Sequence, residues 1–245
     1  MGVLLLRPEH KVWASQQRFA DAGIECVGVA LQTCLPRDNI TDLISQVDWR
    51  DVDHIIFTSS VAARYTLPLL PQLGAHTCIY AIGNATFQTL AQWTSQHPFW
   101  CNGHQLFRAP LTGQDSEGLL THSRLQHVAC QQALIIKGEG GRHVLRDTLE
   151  ARAAVASEAC VYMRCELSTP IATHAWQEAD IHTIIATSGE QIQLAFKHFA
   201  HHWLRQCNWV VVSQRLVAVA QSYQINKITL ATSASDEDLL ATLQT

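Results

Sequence analysis

Hydroxyl, amide and glycine residues close several short apolar runs of this chain, and these are the positions that could do chemistry. Thr58-Ser59-Ser60 follows Ile55-Ile56-Phe57, and Thr187-Ser188-Gly189 follows Ile184-Ile185-Ala186. Gly83-Asn84-Ala85-Thr86 follows Ala81-Ile82, and Ser213-Gln214-Arg215 follows Val210-Val211-Val212. Arg7 closes Leu4-Leu5-Leu6, and Lys137-Gly138 closes Leu134-Ile135-Ile136. Small polar residues between a strand and a helix leave backbone N–H groups aimed at an anion. The same residues serve as plain helix N-caps. The two uses are compatible, because a cap satisfies only some of the free N–H groups at a helix start. Four such ends in one chain favour anion binding.

Other chemistries find less support. Gly138-Glu139-Gly140-Gly141-Arg142 follows a strand-like run, as a nucleotide loop would. It lacks the G-K-[ST] ending of a phosphate loop, and His143 stands where the dinucleotide fingerprint needs its last glycine. A turn presenting N–H groups to a ligand and a purely conformational turn both stay open. His198 and His202 have the i, i+4 spacing of metal ligands, but without an H-E-x-x-H pattern they read as a solvated helix end. No G-x-S-x-G elbow, carboxylate dyad or Cys–His pairing emerges from spacing. Tyr162 ends a strand-like run ahead of Arg164 and, on chemistry alone, is a half-buried aromatic. The eight cysteines are Cys26, Cys34, Cys78, Cys101, Cys130, Cys160, Cys165 and Cys207. With no C-x-x-C among them they read as buried, reduced thiols of a cytoplasmic protein.

The polar phrases recur. Ile56–Ser59 returns as Ile185–Ser188, with Thr58 and Thr187 lying 129 residues apart. The stretch from Ala81 to Gln92 is echoed by Val210 to Gln221, with Ala91 and Ala220 also 129 apart. Leu4–Arg7 and Leu134–Lys137 make a third echo, 130 apart. One pair of units in 245 residues is a duplicated domain and not a solenoid.

The elements that must position these residues alternate. Strands are expected over Val3–Arg7, Ile24–Leu31, His54–Thr58, Thr77–Ile82, Ala133–Lys137, Val155–Tyr162, Ile181–Thr187, Trp209–Ser213 and Lys227–Ala231. Trp100 and Phe107–Ala109 are weaker strand candidates, and the segment from about 96 to 114 reads as a loop excursion. Helical spacing marks Val12, Phe19 and Ala20, then Thr86, Leu90 and Ala91, then Val144, Leu145 and Leu149. A last helix starts at Ser235-Asp236-Glu237-Asp238, a capping box with Asp at its fourth position. Ser116-Glu117-Gly118 is a weaker helix entry. Such alternation gives an α/β fold with parallel sheets covered on both faces, and ligands bind beyond the carboxyl ends of the strands.

Composition excludes some partners. Hydrophobic residues make up 47% of the chain, enough for a sizeable core, and charged residues 16%. The net charge is −4 and no Lys/Arg block occurs, so no field draws nucleic acid. The apolar start Val3–Leu6 is cut short by Arg7, Pro8 and Glu9, far from a spanning length, so no membrane partner is expected.

Taken in order, these residues resemble the uroporphyrinogen-III synthase family. The resembling segments are Leu6-Arg7-Pro8, Ile55–Ser60, Ala81–Thr86, Ser116–Leu120, Leu134–Arg142, Val161-Tyr162, Ala186–Glu190, Val212–Leu216 and Ala234–Glu237. They cover nearly the whole chain. The resemblance implies two similar flavodoxin-like parallel-sheet lobes joined by a two-strand connection, with the active cleft between them. Lobe one would hold 1–33 plus 166–245, and lobe two 35–163. It also implies a lyase without cofactor or metal that cyclises hydroxymethylbilane, an octacarboxylate linear tetrapyrrole, inverting the last pyrrole ring and releasing water. Tyr162 would be the proton or hydrogen-bond donor to the departing hydroxyl. Arg7, Thr58, Ser59, Ser60, Gly83, Asn84, Thr86, Lys137, Gly138, Thr187, Ser188, Gly189, Ser213, Gln214 and Arg215 would hold the carboxylates. A cytoplasmic monomer is implied, in transient contact with the enzyme that makes its substrate. The alternative from another class is a bilobed protein that binds a small polycarboxylate without turnover.

Overall fold

The computed structural model describes residues 2–98, 100, 105–110 and 115–244. Cys101 and part of the expected loop excursion lie outside the described residues. The chain divides into two compact units, Met1–Cys34 with Cys165–Thr245, and Leu35–Arg164.

The first unit contains β1 (Gly2–Leu6), α1 (Glu9–Asp21) and most of β2 (Cys26–Pro36). The second contains α2 (Ile40–Ser45), β3 (His54–Phe57), α3 (Ser60–Thr66), β4 (Cys78–Ala81), α4 (Asn84–Gln96) and β5 (Leu106–Arg108). It continues with α5 (Ser116–Leu119), α6 (Ser123–Gln126), β6 (Gln132–Gly138), α7 (Val144–Ala151) and the start of β7 (Val155–Ala172). The chain then completes the first unit with β8 (Ile181–Ala186), α8 (Gly189–His198), α9 (His201–Gln206), β9 (Asn208–Val211), α10 (Gln214–Ser222), β10 (Ile228–Leu230) and α11 (Asp236–Gln244). β2 and β7 carry the chain from one unit to the other.

In the first unit the strands lie in the order β2-β1-β8-β9-β10, and in the second β7-β6-β3-β4-β5. Numbered along its own chain, the first order is 2-1-3-4-5, the flavodoxin-like arrangement. The second is the same sheet with its first two strands supplied last. The units are therefore duplicates related by a circular permutation, so the offset of about 130 between the echoed phrases does not mark a boundary between them. β1 pairs in parallel with β2 and β8, and β3 with β4 and β6, so the carboxyl ends of neighbouring strands share one edge.

Each sheet is buried on both faces, as parallel sheets require. In the first unit Leu4 and Leu6 join a cluster with Ile184, Trp203 and Trp209, while Val3 and Leu5 point the other way onto Phe19, Val210 and Leu239. The period-2 alternation of a strand sends successive side chains to opposite layers. Each fully buried Leu or Ile contributes about 1.5–3 kcal/mol of transfer energy.

Some sequence-based boundaries need correction. β7 runs ten residues past Tyr162, and β2 extends past Leu31 to Pro36. Trp100 sits in a turn, not a strand. The second echo is offset by 130, not 129: β4 and β9, and the starts of α4 and α10, all stand 130 apart. The burial pattern of residues 81–90 repeats position for position over 211–220 at that offset. Cys26, Cys78 and Cys207 are buried, but Cys130 is exposed and Cys34, Cys160 and Cys165 are half-buried. At α11, Ser235 Oγ accepts from the Asp238 N–H at 3.1 Å, the forward half of the capping box. The return half runs through Ser233, whose Oγ donates to Asp238 Oδ2 and accepts from the Ser235 N–H at 3.0 Å.

Candidate functional site

An open parallel sheet offers a crevice where its strand order reverses. In the second unit that point lies between β6 and β3, and a pocket of about 290 Å³ opens there. Thr58 and Ser59 come from the end of β3, Lys137 and Gly138 from the end of β6, and Glu158, Tyr162 and Arg164 from β7. Asp115 and Ser116 at the start of α5 and the Gly140-Gly141-Arg142 loop close the sides.

A bulge aims Tyr162. Lys137 pairs with Cys160, but the next residue, Gly138, pairs with Tyr162, so β7 carries one extra residue at this point. A bulge re-aims the side chain beside it. The Tyr162 ring lands on the bare Cα of Gly138: a Cβ there would lie 2.7 Å from Cε2 and 2.8 Å from Cε1. The Glu139 N–H donates to the Tyr162 carbonyl at 2.8 Å, locking the pairing. The phenol oxygen lies 3.2 Å from Ser59 Oγ, and Tyr162 is 4% exposed. Beyond Glu139, Gly140 and Gly141 have φ of +74° and +83°, a left-handed pair that turns the loop away from the strand.

Most of the pocket's charges are arranged in pairs. Lys137 Nζ donates to Glu158 Oε1 at 3.2 Å, and His143 Nδ1 lies 3.0 Å from Glu158 Oε2. Burial pushes the Glu158 carboxyl up, but the hydrogen bonds from His143 and Lys137 outweigh it and hold it below its ordinary range. Arg142 forks onto Glu117 at 2.5 and 3.1 Å, and this holds the Glu117 carboxyl low. Asp115 caps α5 by accepting from the Gly118 N–H at 2.7 Å. Glu158, Asp115 and Arg164 are site residues that the sequence motifs do not mark. Glu158 and Asp115 carry no local motif, and the one signal for Arg164 is its place two residues beyond Tyr162.

The other sequence-based site residues are distributed as follows. Ser59, Ser188 and Ser213 each accept from the N–H three residues on, at 3.1, 3.2 and 3.3 Å, so each is the N-cap of its helix. Ser60 and Gly189 open α3 and α8. Gly83 precedes α4 without a side-chain cap, and Asn84 is exposed with its Oδ1 3.4 Å from Arg108. Thr86 is 4% exposed and stands where Leu216 stands in the other unit, so it fills a core position. Gln214 and Arg215 are exposed at the start of α10.

At the matching switch point of the first unit, between β1 and β8, the chain uses its own groups. Arg7 is 5% exposed, with its guanidinium on the Asp236 carboxylate and the Ala234 carbonyl. Ser15 Oγ donates to the second Asp236 oxygen at 3.1 Å. The Thr187 N–H and hydroxyl both donate to Gln191 Oε1, at 2.7 and 3.2 Å. His198, read from the sequence as part of a solvated helix end with His202, is instead the half-buried last residue of α8, while His202 lies in α9; His198 is 3.1 Å from Glu166, which also accepts from Lys197 at 2.6 Å.

Fold and site together define a class: duplicated flavodoxin-like α/β units with a polar, charged pocket at a switch point. A family model described as "Uroporphyrinogen-III synthase HemD" matches residues 14–241. The chain belongs to the uroporphyrinogen-III synthase family. It is 38% identical over 143 residues to the uroporphyrinogen-III synthase of Salmonella typhimurium (strain LT2), and 36% identical over 141 residues to that of Escherichia coli (strain K12). These matches span 56% and 55% of this chain, but only 58% and 57% of those relatives. The crystal structure of uroporphyrinogen-III synthetase from Helicobacter pylori 26695 superposes with a TM-score of 0.58 at 16% identity, covering 100% of this chain and 99% of that one. At that identity the likeness shows the fold.

Proposed function

We propose that this protein is a lyase that cyclises hydroxymethylbilane to the type III isomer of uroporphyrinogen, as the names of its relatives suggest. The observation that carries the reading is the pocket between β6 and β3, where Tyr162, Ser59, Thr58, Lys137 and Gly138 converge. At about 290 Å³ it lies just below the range for small-molecule sites, roughly 300–1,000 Å³. It therefore takes one portion of an extended tetrapyrrole, and the remaining carboxylates find other anchors. Helix starts at Ser59, Gly83, Ser188 and Ser213 supply N–H donors for them without a strongly cationic surface.

The chemistry then follows from placement. The substrate's terminal carbon–oxygen bond breaks as the Tyr162 hydroxyl gives its proton to the departing oxygen, which leaves as water. The Ser59 hydroxyl, 3.2 Å from the phenol, steadies the phenolate that results. The substituted carbon of the last pyrrole attacks the electron-poor carbon, giving a spiro intermediate. That intermediate fragments and recloses with the ring inverted. The closing pyrrole sheds a proton as it regains aromaticity, and the phenol recovers one. Holding the ends of a flexible chain in one arrangement is the larger task, since orientation supplies much of such a barrier. The reading includes a monomer working in the cytoplasm beside the enzyme that makes its substrate. The free, buried thiols of Cys26, Cys78 and Cys207 suit a reducing compartment.

The test is product analysis. A chelated, desalted preparation should turn fresh hydroxymethylbilane into the type III isomer. Binding without turnover would make it a polycarboxylate-binding protein, and type I product alone would refute the reading.

A further inference from the structure

Three cations line the pocket between β6 and β3: Lys137, Arg142 and Arg164. The chain's own carboxylates occupy two of them. Lys137 is paired with Glu158, their side chains only 8% and 11% exposed, and Arg142 is held by both oxygens of Glu117. Arg164 is exposed and takes part in no ion pair or side-chain hydrogen bond among the described residues. The carboxylates that line the pocket are also committed, Glu158 to Lys137 and His143, and Asp115 to the Gly118 N–H.

We infer that Arg164 is the carboxylate anchor of this pocket, pairing one carboxylate of the substrate while Lys137 stays with Glu158. The substrate's identity rests on the reading given under Proposed function; the carboxylate class rests on the pocket alone. The argument compares costs. A ligand carboxylate on Lys137 would have to displace Glu158, leaving a nearly buried carboxylate without its partner, or approach a second negative charge a few ångströms away. Either costs free energy in a partly desolvated site. Arg164 requires no displacement. Its planar fork matches a carboxylate with two parallel hydrogen bonds, and a guanidinium gives up its water more readily than an ammonium. Arg164 also sits two residues beyond Tyr162 on β7, so a carboxylate held there lies next to the proposed proton donor along the same strand.

The experiment compares wild type, R164Q, R164K and the remote control R50Q, whose arginine is exposed and paired with Asp48. Two readouts are taken: KM and kcat with hydroxymethylbilane, and the Kd of uroporphyrin, an octacarboxylate probe, by calorimetry at low and high salt. R164Q should raise both KM and Kd about three- to tenfold, the scale of a partly exposed bidentate pair, with kcat changed less than about twofold. R164K should recover part of the loss, R50Q should match wild type, and the salt dependence of Kd should shrink in R164Q. Folded R164Q and R164K with wild-type KM and Kd would overturn the inference, as would a wild type that does not bind the probe. If wild type binds the probe without turning over hydroxymethylbilane, the lyase reading fails while the Kd series still decides the role of Arg164.

Discussion

The Tyr162 ring packs against Gly138 across a bulged pair, where its atoms fill the place a Cβ on residue 138 would take. Gly138→Ala should therefore displace the phenol from Ser59 without unfolding the unit, because Gly138 ends its strand and the ring can swing outward. We expect turnover to fall at least tenfold, with a far-ultraviolet circular dichroism spectrum like that of wild type. A Gly138→Ala protein with full activity would show that the position of the ring does not matter.

Glu158 sets a pH limit on the second unit. Its folded carboxyl titrates below the ordinary glutamate range, so the unfolded chain binds the extra proton first. The stabilisation is fully present above the unfolded value, about 4.3, and is lost as pH falls through the lower folded value. Urea midpoints of wild type and Glu158→Gln should differ most at neutral pH and converge under acid. A gap that is constant from pH 7 down to pH 3 would remove this assignment.

Asp236 does in the first unit what a ligand anion would do at an empty switch point. Asp236→Ala leaves the Arg7 guanidinium buried without its carboxylate and removes the acceptor of Ser15. Breaking a buried pair from one side costs about 3–5 kcal/mol, whereas neighbouring Glu237, on the surface, should cost under about 0.5 kcal/mol. Denaturant unfolding of the two alanine variants checks the contrast, and equal losses would contradict it.

Much of this was legible in the sequence, for identifiable reasons. β1, β3, β6 and β8 are largely buried on both faces and so carry short apolar runs toward their ends, and the polar residues after them mark the carboxyl edge. The connecting part of β7, from Met163 to Ala172, is half-exposed, and Arg164, Glu166, Ser168, Thr169 and Pro170 interrupt its apolar residues, so no apolar run announces it. Arg7 and Lys137 stood out as an echo, but their partners Asp236 and Glu158 lie 229 and 21 residues away, and only folding brings each pair together. Glycine at position 138 read as a loop residue, and its use as a seat for Tyr162 depends on a bulge that leaves no trace in composition.

Under the proposed function, Tyr162 assists departure of the substrate hydroxyl. Carboxylate anchors act in ground state and transition state alike, so losing one mainly weakens binding. A donor to the leaving group acts as the bond breaks, and such assistance is worth about 10²–10⁴ in rate. Initial rates of type III formation by Tyr162→Phe, Thr58→Ala and Thr187→Ala, at saturating substrate and with folding verified, test it most directly. We expect a fall of about a hundredfold for Tyr162→Phe and far smaller changes for the two threonine variants. A folded Tyr162→Phe protein keeping more than about half of wild-type activity would contradict it, since no room would remain for a donor of that magnitude.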